Sequence, residues 1–198
     1  MLINQLNKFH FILGSKSPRR QYLLRELGLK FGVLTRNVDE TYPLTLQREE
    51  IPLFLCKHKA EAYSDLLSDE RTIIITADTI VWIDGMNLGK PANEEEAAAM
   101  LHRLSGRKHE VLSGVCLRSW QKQVSFHACS EVFFKQLRND DINYYVSRYR
   151  PFDKAGAYGI QEWIGYIGIE KIKGSFYNVM GLPTQKLYDE LLRFCGLI

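Results

Sequence analysis

Four cysteines are spread through 198 residues, at Cys56, Cys116, Cys129 and Cys195, and no two form a Cys-x-x-Cys pair. That excludes a zinc clip and a thioredoxin-type dithiol. The apolar neighbours, as in Val115-Cys116-Leu117, point to reduced core thiols in a cytosolic protein. No apolar run approaches the ~20 residues a membrane-spanning helix requires. The first ten residues include Asn4, Gln5, Asn7, Lys8 and His10 and hold no signal-peptide core, so a cytoplasmic protein without membrane contact is expected. There is no Gly-x-Ser-x-Gly elbow, which argues against an α/β-hydrolase, and no Lys-Ser/Thr ending to a glycine loop, which disfavours the P-loop NTPases. His10, His58, His102, His109 and His127 lack metal-ligand spacing. A net charge of +3 is too mild to argue for nucleic acid.

What is present is an ordinary folded-domain composition, 45% hydrophobic and 25% charged. Residues 1–198 read as a single domain, long enough for two packed lobes, without repeats or linkers. Phe9–Leu13 reads as a strand. Pro18 opens a helix to about Leu27, with Ser17 as its cap. A short strand is expected at Phe31–Leu34 and a helix at Pro52–Leu67. Thr72–Ala77 is β-branched and almost wholly apolar, the pattern of a strand buried on both faces, continuing through Ile80–Ile83 to an Asp84-Gly85 turn. Asn93 and Glu96 form a capping box ahead of a helix presenting Ala97, Met100, Leu101 and Leu104. Glu110–Leu117 and Lys122–Phe134 read as paired strands, and helices follow at Asp140–Ser147 and Pro183–Phe194. Helices and strands mix without strict alternation, which predicts α/β or α+β with a large mixed sheet.

Several polar runs interrupt this pattern. Gly14-Ser15-Lys16-Ser17-Pro18-Arg19-Arg20 follows a strand and opens a helix. Its amides, hydroxyls and forked guanidinium donors suit an anion, although a helix cap followed by solvated arginines explains it equally well. Asp78, directly after the isoleucines and before Thr79, cannot remain ionised there without a metal ion, a lysine or backbone donors. Gly89-Lys90-Pro91 follows the Asp84-Gly85 turn, and counting outward along an ideal ladder sets Thr79 opposite Lys90. Asp153–Gln161 interleaves glycines with Lys154, Tyr158 and Gln161; its amide can read a base edge, yet alone the run reads more simply as a surface loop. Gly174–Pro183 is explained by a turn and a helix start. Asp39-Glu40 offers paired oxygen ligands, and Lys59 a further cation.

Taken in order, Ser15–Arg20, Asp39-Glu40, Asp78-Thr79, Gly89-Lys90-Pro91, Lys154–Gln161 and Gly174–Pro183 resemble the Maf family of nucleotide pyrophosphatases from about Phe11 to Leu192. Six ordered motifs make this specific. Gly14 stands where the family often has alanine, and Ser113 where threonine is common. The resemblance implies an elongated α/β fold similar to that of inosine triphosphate pyrophosphatases, with an active-site cleft between two lobes. It also implies hydrolysis of a nucleoside triphosphate to the monophosphate and pyrophosphate, and a divalent cation, Mg²⁺ or Mn²⁺. Asp78 matches the proton-accepting aspartate. Arg19, Thr79 and Gln161 match the positions associated with base choice in the dTTP/UTP branch.

On that basis Ser15, Ser17, Arg19 and Arg20 are expected to hold the triphosphate, with Lys59, Lys90 and Lys154 as further candidates. Glu40 and Asp78 are expected to hold the metal or orient the attacking water. The expected role is house-cleaning of pyrimidine nucleotides, and a homodimer is implied by the resemblance. Two other readings compete. One is the sibling 7-methyl-GTP pyrophosphatase branch, whose motifs differ after the aspartate. The other is a non-enzymatic cell-division or nucleic-acid module, for which a dense basic stripe and an aromatic platform are missing.

Overall fold

The computed structural model describes residues 1–198. Helix α1 spans Leu2–Leu6, followed by β1 (His10–Leu13), α2 (Pro18–Glu26), β2 (Phe31–Val33), α3 (Glu50–Glu61), β3 (Thr72–Ile83) and β4 (Met86–Leu88). Helix α4 (Glu94–Leu104), β5 (Lys108–Arg118), β6 (Gln123–Phe134), α5 (Asn139–Tyr149), α6 (Trp163–Gly168), β7 (Ile169–Lys173), α7 (Phe176–Met180) and α8 (Thr184–Phe194) complete the chain. The strands form one seven-stranded sheet in the order β2-β1-β3-β5-β6-β7, with β4 on β3. It is mixed: β1 pairs parallel with β2 and β3, while β4 runs antiparallel to β3 and β7 antiparallel to β6. The expected mixed α/β architecture is borne out.

The chain divides into two compact units. Unit 1 comprises Met1–Asp78, Ser113–Ala128 and Gly181–Ile198, and unit 2 comprises Thr79–Leu112 and Cys129–Met180. In unit 1 the isoleucines Ile73, Ile74 and Ile75 are buried, as a continuous apolar run requires. Gly14 is needed by the core: a Cβ there would lie 2.8 Å from the Tyr63 ring and 2.9 Å from Thr76 Cγ2. Unit 2 has its own core, in which Leu101 and Leu104 of α4, Tyr145 of α5 and Ile164 of α6 are buried with Val132 and Phe134 of β6.

Three local expectations are corrected. The helix expected at Pro52–Leu67 begins at Glu50 and ends at Glu61, with a separate 3-10 turn at Ser64–Leu66. Pro52 sits inside the first turn, where an amide has no helical acceptor to lose. The β3–β4 ladder begins as expected, with Ile83 opposite Met86, but its last pair is Val81 with Leu88. Thr79 and Lys90 therefore do not pair, because the chain leaves the sheet at Gly89, whose carbonyl accepts from Gly156 N–H at 3.1 Å. Of the cysteines, Cys56 and Cys116 are buried thiols, but Cys129 is exposed on β6 and Cys195 half-buried. No helix is long and apolar enough to cross a membrane.

Candidate active site

In unit 1 the parallel register sets Leu13 opposite Ile75, and Gly14 N–H still bonds Ile75 O at 2.9 Å. The Ser15–Ser17 run therefore follows the carboxyl end of β1, and Asp78 lies within β3 three residues past its last parallel pair with β1, the edge where ligands usually bind in such sheets. Ser17 caps α2 as expected, its Oγ accepting from Arg20 N–H at 3.4 Å. Ser15 is buried, and its Oγ accepts from Ser17 N–H at 3.2 Å and from Arg20 Nη1 at 3.4 Å. Arg20 turns inward. Nη1 donates to Ala77 O at 2.8 Å and Nε to Gly181 O at 3.0 Å. Burial lowers its pKa, and the charge of Asp78 is the largest effect opposing that. Arg19 is half-buried on the same helix.

The charge demanded by Asp78 is Lys59. From α3 its ammonium pairs with Asp78 Oδ1 and with Glu40 Oε1, the latter at 2.8 Å. The Lys59 and Asp78 side chains are only 13% and 14% exposed, so water screens this pair little; Glu40, at 49%, opens the group to solvent. Asp39, the other acid of the pair, is turned back on its own loop. Its oxygens accept from Thr41 N–H at 3.0 Å and Thr41 Oγ1 at 2.7 Å, and these bonds hold its pKa down. Of the two adjacent acids, only Glu40 reaches the lysine. The loop bearing Glu40 is tied down by residues that the sequence did not single out. Tyr63 Oη donates to Leu34 O at 3.0 Å and accepts from Arg36 N–H at 3.1 Å, while the Arg36 guanidinium grips Asp65.

No group of three or more His, Cys, Asp or Glu side chains is placed to hold a metal. The donor set nevertheless fits Mg²⁺ or Mn²⁺. Glu40 and Asp78 are hard oxygen ligands already converging on one cation, and Mg²⁺ ordinarily takes one or two carboxylates and completes its shell with water and phosphate oxygen.

In unit 2 the Asp153–Gln161 run is more than a glycine-bearing loop. Lys154 is buried, paired with Asp153 Oδ1 at 2.7 Å and Glu162 Oε1 at 3.1 Å. The Gln161 Oε1 atom is buried and meets no donor of the protein. Tyr158, His109 and Phe134 pack edge-on against one another, the Tyr158 hydroxyl 2.7 Å from His109 Nε2. Burial pulls the pKa of His109 down to about 3, so the ring is neutral. Lys90 is exposed beyond β4, and Thr79 follows Asp78 within β3. Asn178 is buried and donates to Val111 O and Ser130 Oγ, each at 3.0 Å; it lies on the short helix α7, which stands where Gly174–Pro183 was expected to be a turn leading into α8.

All the site candidates except Arg19, Thr79 and Lys90 fall into two groups. Ser15, Ser17, Arg20, Glu40, Lys59 and Asp78 are joined in unit 1, and Lys154 and Gln161 share one loop of unit 2. The sequence missed Tyr63, Arg36, Tyr145 and Glu162. Tyrosines at inward helix positions read as core, and nothing in a linear pattern shows that their hydroxyls are spent on loops.

A family model described as Maf-like protein matches residues 10–194. The chain is 53% identical over 195 residues to a protein of Parabacteroides distasonis named dTTP/UTP pyrophosphatase, covering 98% of this chain and all of that one. It is 51% identical over 195 residues to a Porphyromonas gingivalis protein of the same name, covering 98% of each. Among solved structures, a HAM1 protein from Coxiella burnetii aligns with TM-score 0.51 at 16% identity, over 93% of this chain and 99% of that one, a likeness of fold alone.

Proposed function

Since the chain belongs to the Maf-like family, we propose that it is a nucleoside triphosphate pyrophosphatase that cleaves dTTP and UTP to the monophosphate and pyrophosphate. The observation that carries this is the convergence of Asp78 and Glu40 on the Lys59 ammonium, beside a buried serine and an inward-turned arginine. That group can hold phosphate oxygens and an ionised carboxylate together.

In this reading Ser15, Ser17, Arg19 and Arg20 face the phosphate chain, with Lys59, Lys90 and Lys154 adding positive charge. Asp78 accepts a proton from the water that attacks the α-phosphorus. The new bond is water oxygen to α-phosphorus, and the bond from the α-phosphorus to the α,β-bridging oxygen breaks, its electron pair leaving with pyrophosphate. Such chemistry depends mainly on positioning and charge neutralisation. Glu40 and Asp78 would hold Mg²⁺ or Mn²⁺, which when bound supplies neutralising charge and lowers the pKa of its water. Lys59 meanwhile keeps the two carboxylates aimed at one point.

Base choice rests on Gln161, with Arg19 and Thr79. A buried amide oxygen without a donor costs roughly 1–3 kcal/mol. Uracil and thymine offer the N3–H donor that would relieve this and an O4 that accepts from the amide NH₂. Cytosine at N3 has only a lone pair. The protein is further proposed to act in the cytoplasm, and as a homodimer, which analytical ultracentrifugation checks.

Pyrophosphate release from dTTP, UTP, CTP and 7-methyl-GTP, with and without Mg²⁺, tests the reading. Metal-dependent release from dTTP and UTP is expected, with CTP poorer. Preference for 7-methyl-GTP, or DNA binding at physiological salt without any release, overturns it.

A further inference from the structure

The turn that carries Gln161 is closed by one buried hydroxyl. Glu162 N–H bonds Gly159 O at 3.0 Å, so Gly159-Ile160-Gln161-Glu162 forms a four-residue turn with Gln161 in its third position. Tyr145, on α5 and fully buried, accepts from Gly159 N–H at 3.1 Å and donates to Glu162 Oε2. The same oxygen atom therefore grips the first and last residues of the turn. The other Glu162 oxygen holds Lys154 Nζ at 3.1 Å, extending the tie back to the start of the loop. A Cβ at Gly159 would lie 2.8 Å from Glu162 Cδ and push against the carboxylate that Tyr145 holds.

The loop needs such a tie. Gly156 and Ala157 are left-handed, with φ of 67° and 59°. For alanine that conformation persists only where the surroundings over-determine it. Burial, reinforced by the Glu162 carboxylate, pushes the Tyr145 hydroxyl pKa up, so the proton it donates stays in place.

We propose that Tyr145 is a positioning residue for base selection: its hydroxyl holds both ends of the Gly159–Glu162 turn and so sets where the Gln161 amide meets the base. This rests on reading Gln161 as the base-recognising group. An amide that must both accept from N3–H and donate to O4 tolerates little displacement, because hydrogen bonds weaken steeply with angle. Loosening the turn therefore costs discrimination, while Asp78, Lys59 and Arg20 keep the contacts they make within unit 1.

The test compares kcat and KM for dTTP and CTP in the wild type, Tyr145→Phe and Tyr149→Phe, together with hydrogen exchange at the Gly159 amide. In Tyr145→Phe the dTTP-over-CTP preference in kcat/KM should fall at least about fivefold, the worth of one hydrogen bond. The fall should come through KM for dTTP, with kcat within about twofold. Gly159 exchange should rise about tenfold. Tyr149→Phe, whose ring stacks on Tyr145 with centroids 5.0 Å apart, should keep the preference. A folded Tyr145→Phe enzyme with the wild-type preference, or one that loses kcat equally on both nucleotides, overturns the proposal and leaves Gln161 standing. A wild type that cleaves CTP as readily as dTTP overturns the reading of Gln161 itself. Should Tyr145→Phe not fold, Glu162→Ala, which removes the hydroxyl's acceptor from a half-buried position, must produce the same loss of preference or the proposal fails.

Discussion

Unit 1 and unit 2 hold their polar side chains by different means. In unit 1 the group beside the end of the β1–β3 pairing is made of charges: two cations, Arg20 and Lys59, and two carboxylates, Glu40 and Asp78, with Arg20 also donating to Ser15 Oγ and to the Ala77 and Gly181 carbonyls. In unit 2 the Asp153–Glu162 loop adds phenol hydroxyls, Tyr145 on Gly159 and Glu162 and Tyr158 on His109, to the buried Lys154 paired with Asp153 and Glu162. Charges act over several ångströms and exchange partners, so a lysine between two carboxylates can give way to another cation or turn to a phosphate. Hydroxyl bonds are short and directional and exchange with nothing of opposite charge. The first arrangement suits a reaction in which charge moves, and the second suits holding a shape that must not move.

The contrast can be broken most severely at Asp78. Asp78→Asn keeps the shape but removes the proton acceptor, so kcat for dTTP should fall about a thousandfold while nucleotide binding stays measurable by calorimetry. Near-native turnover would remove Asp78 from the reaction and leave unit 1 with a merely structural charge cluster.

His109 in unit 2 carries a smaller effect. The folded His109 pKa lies near 3, below the ordinary 6.5, so between these values the unfolded chain binds the extra proton and acid destabilises the fold. Stability contributed by the neutral ring is fully present above pH 6.5. It falls by about 1.4 kcal/mol per pH unit below that, or about 2 kcal/mol by pH 5. Urea unfolding at a series of pH values should show this slope, and His109→Gln should flatten it.

The smallest effect belongs to the start of α2. Ser17→Ala loses the cap on Arg20 N–H and should cost about 1 kcal/mol in thermal unfolding. If Ser17 also faces phosphate, KM for dTTP rises as well. An unchanged KM would confine Ser17 to the helix and leave the phosphate to Ser15 and the arginines.

Much of this molecule was readable from the chain. The buried strand Thr72–Ile83, the Ser17 and Asn93 caps and the Asp84-Gly85 turn are decided by neighbours within a few residues, and all were expected. Asp78, an acid set in so apolar a strand, had to find a partner. Which partner was not readable: metal, lysine and backbone donors all satisfied the same requirement. The Thr79–Lys90 pairing failed for the complementary reason. It extended a local ladder past Gly89, where a carbonyl is claimed by Gly156 from far along the chain.

The order of motifs from Ser15 to Pro183 carries the family and the reaction class, because those residue types and their spacing are a property of the chain before it folds. The contacts that assemble the site are not. Lys59 meets Asp78 across 19 residues and Arg20 meets the Gly181 carbonyl across 161. Tyr145 bonds Gly159 only because α5 packs its inward face under that loop. Long-range pairings are set by which helices and strands share a core, and a side chain's nearest charge or hydroxyl is a result of that packing.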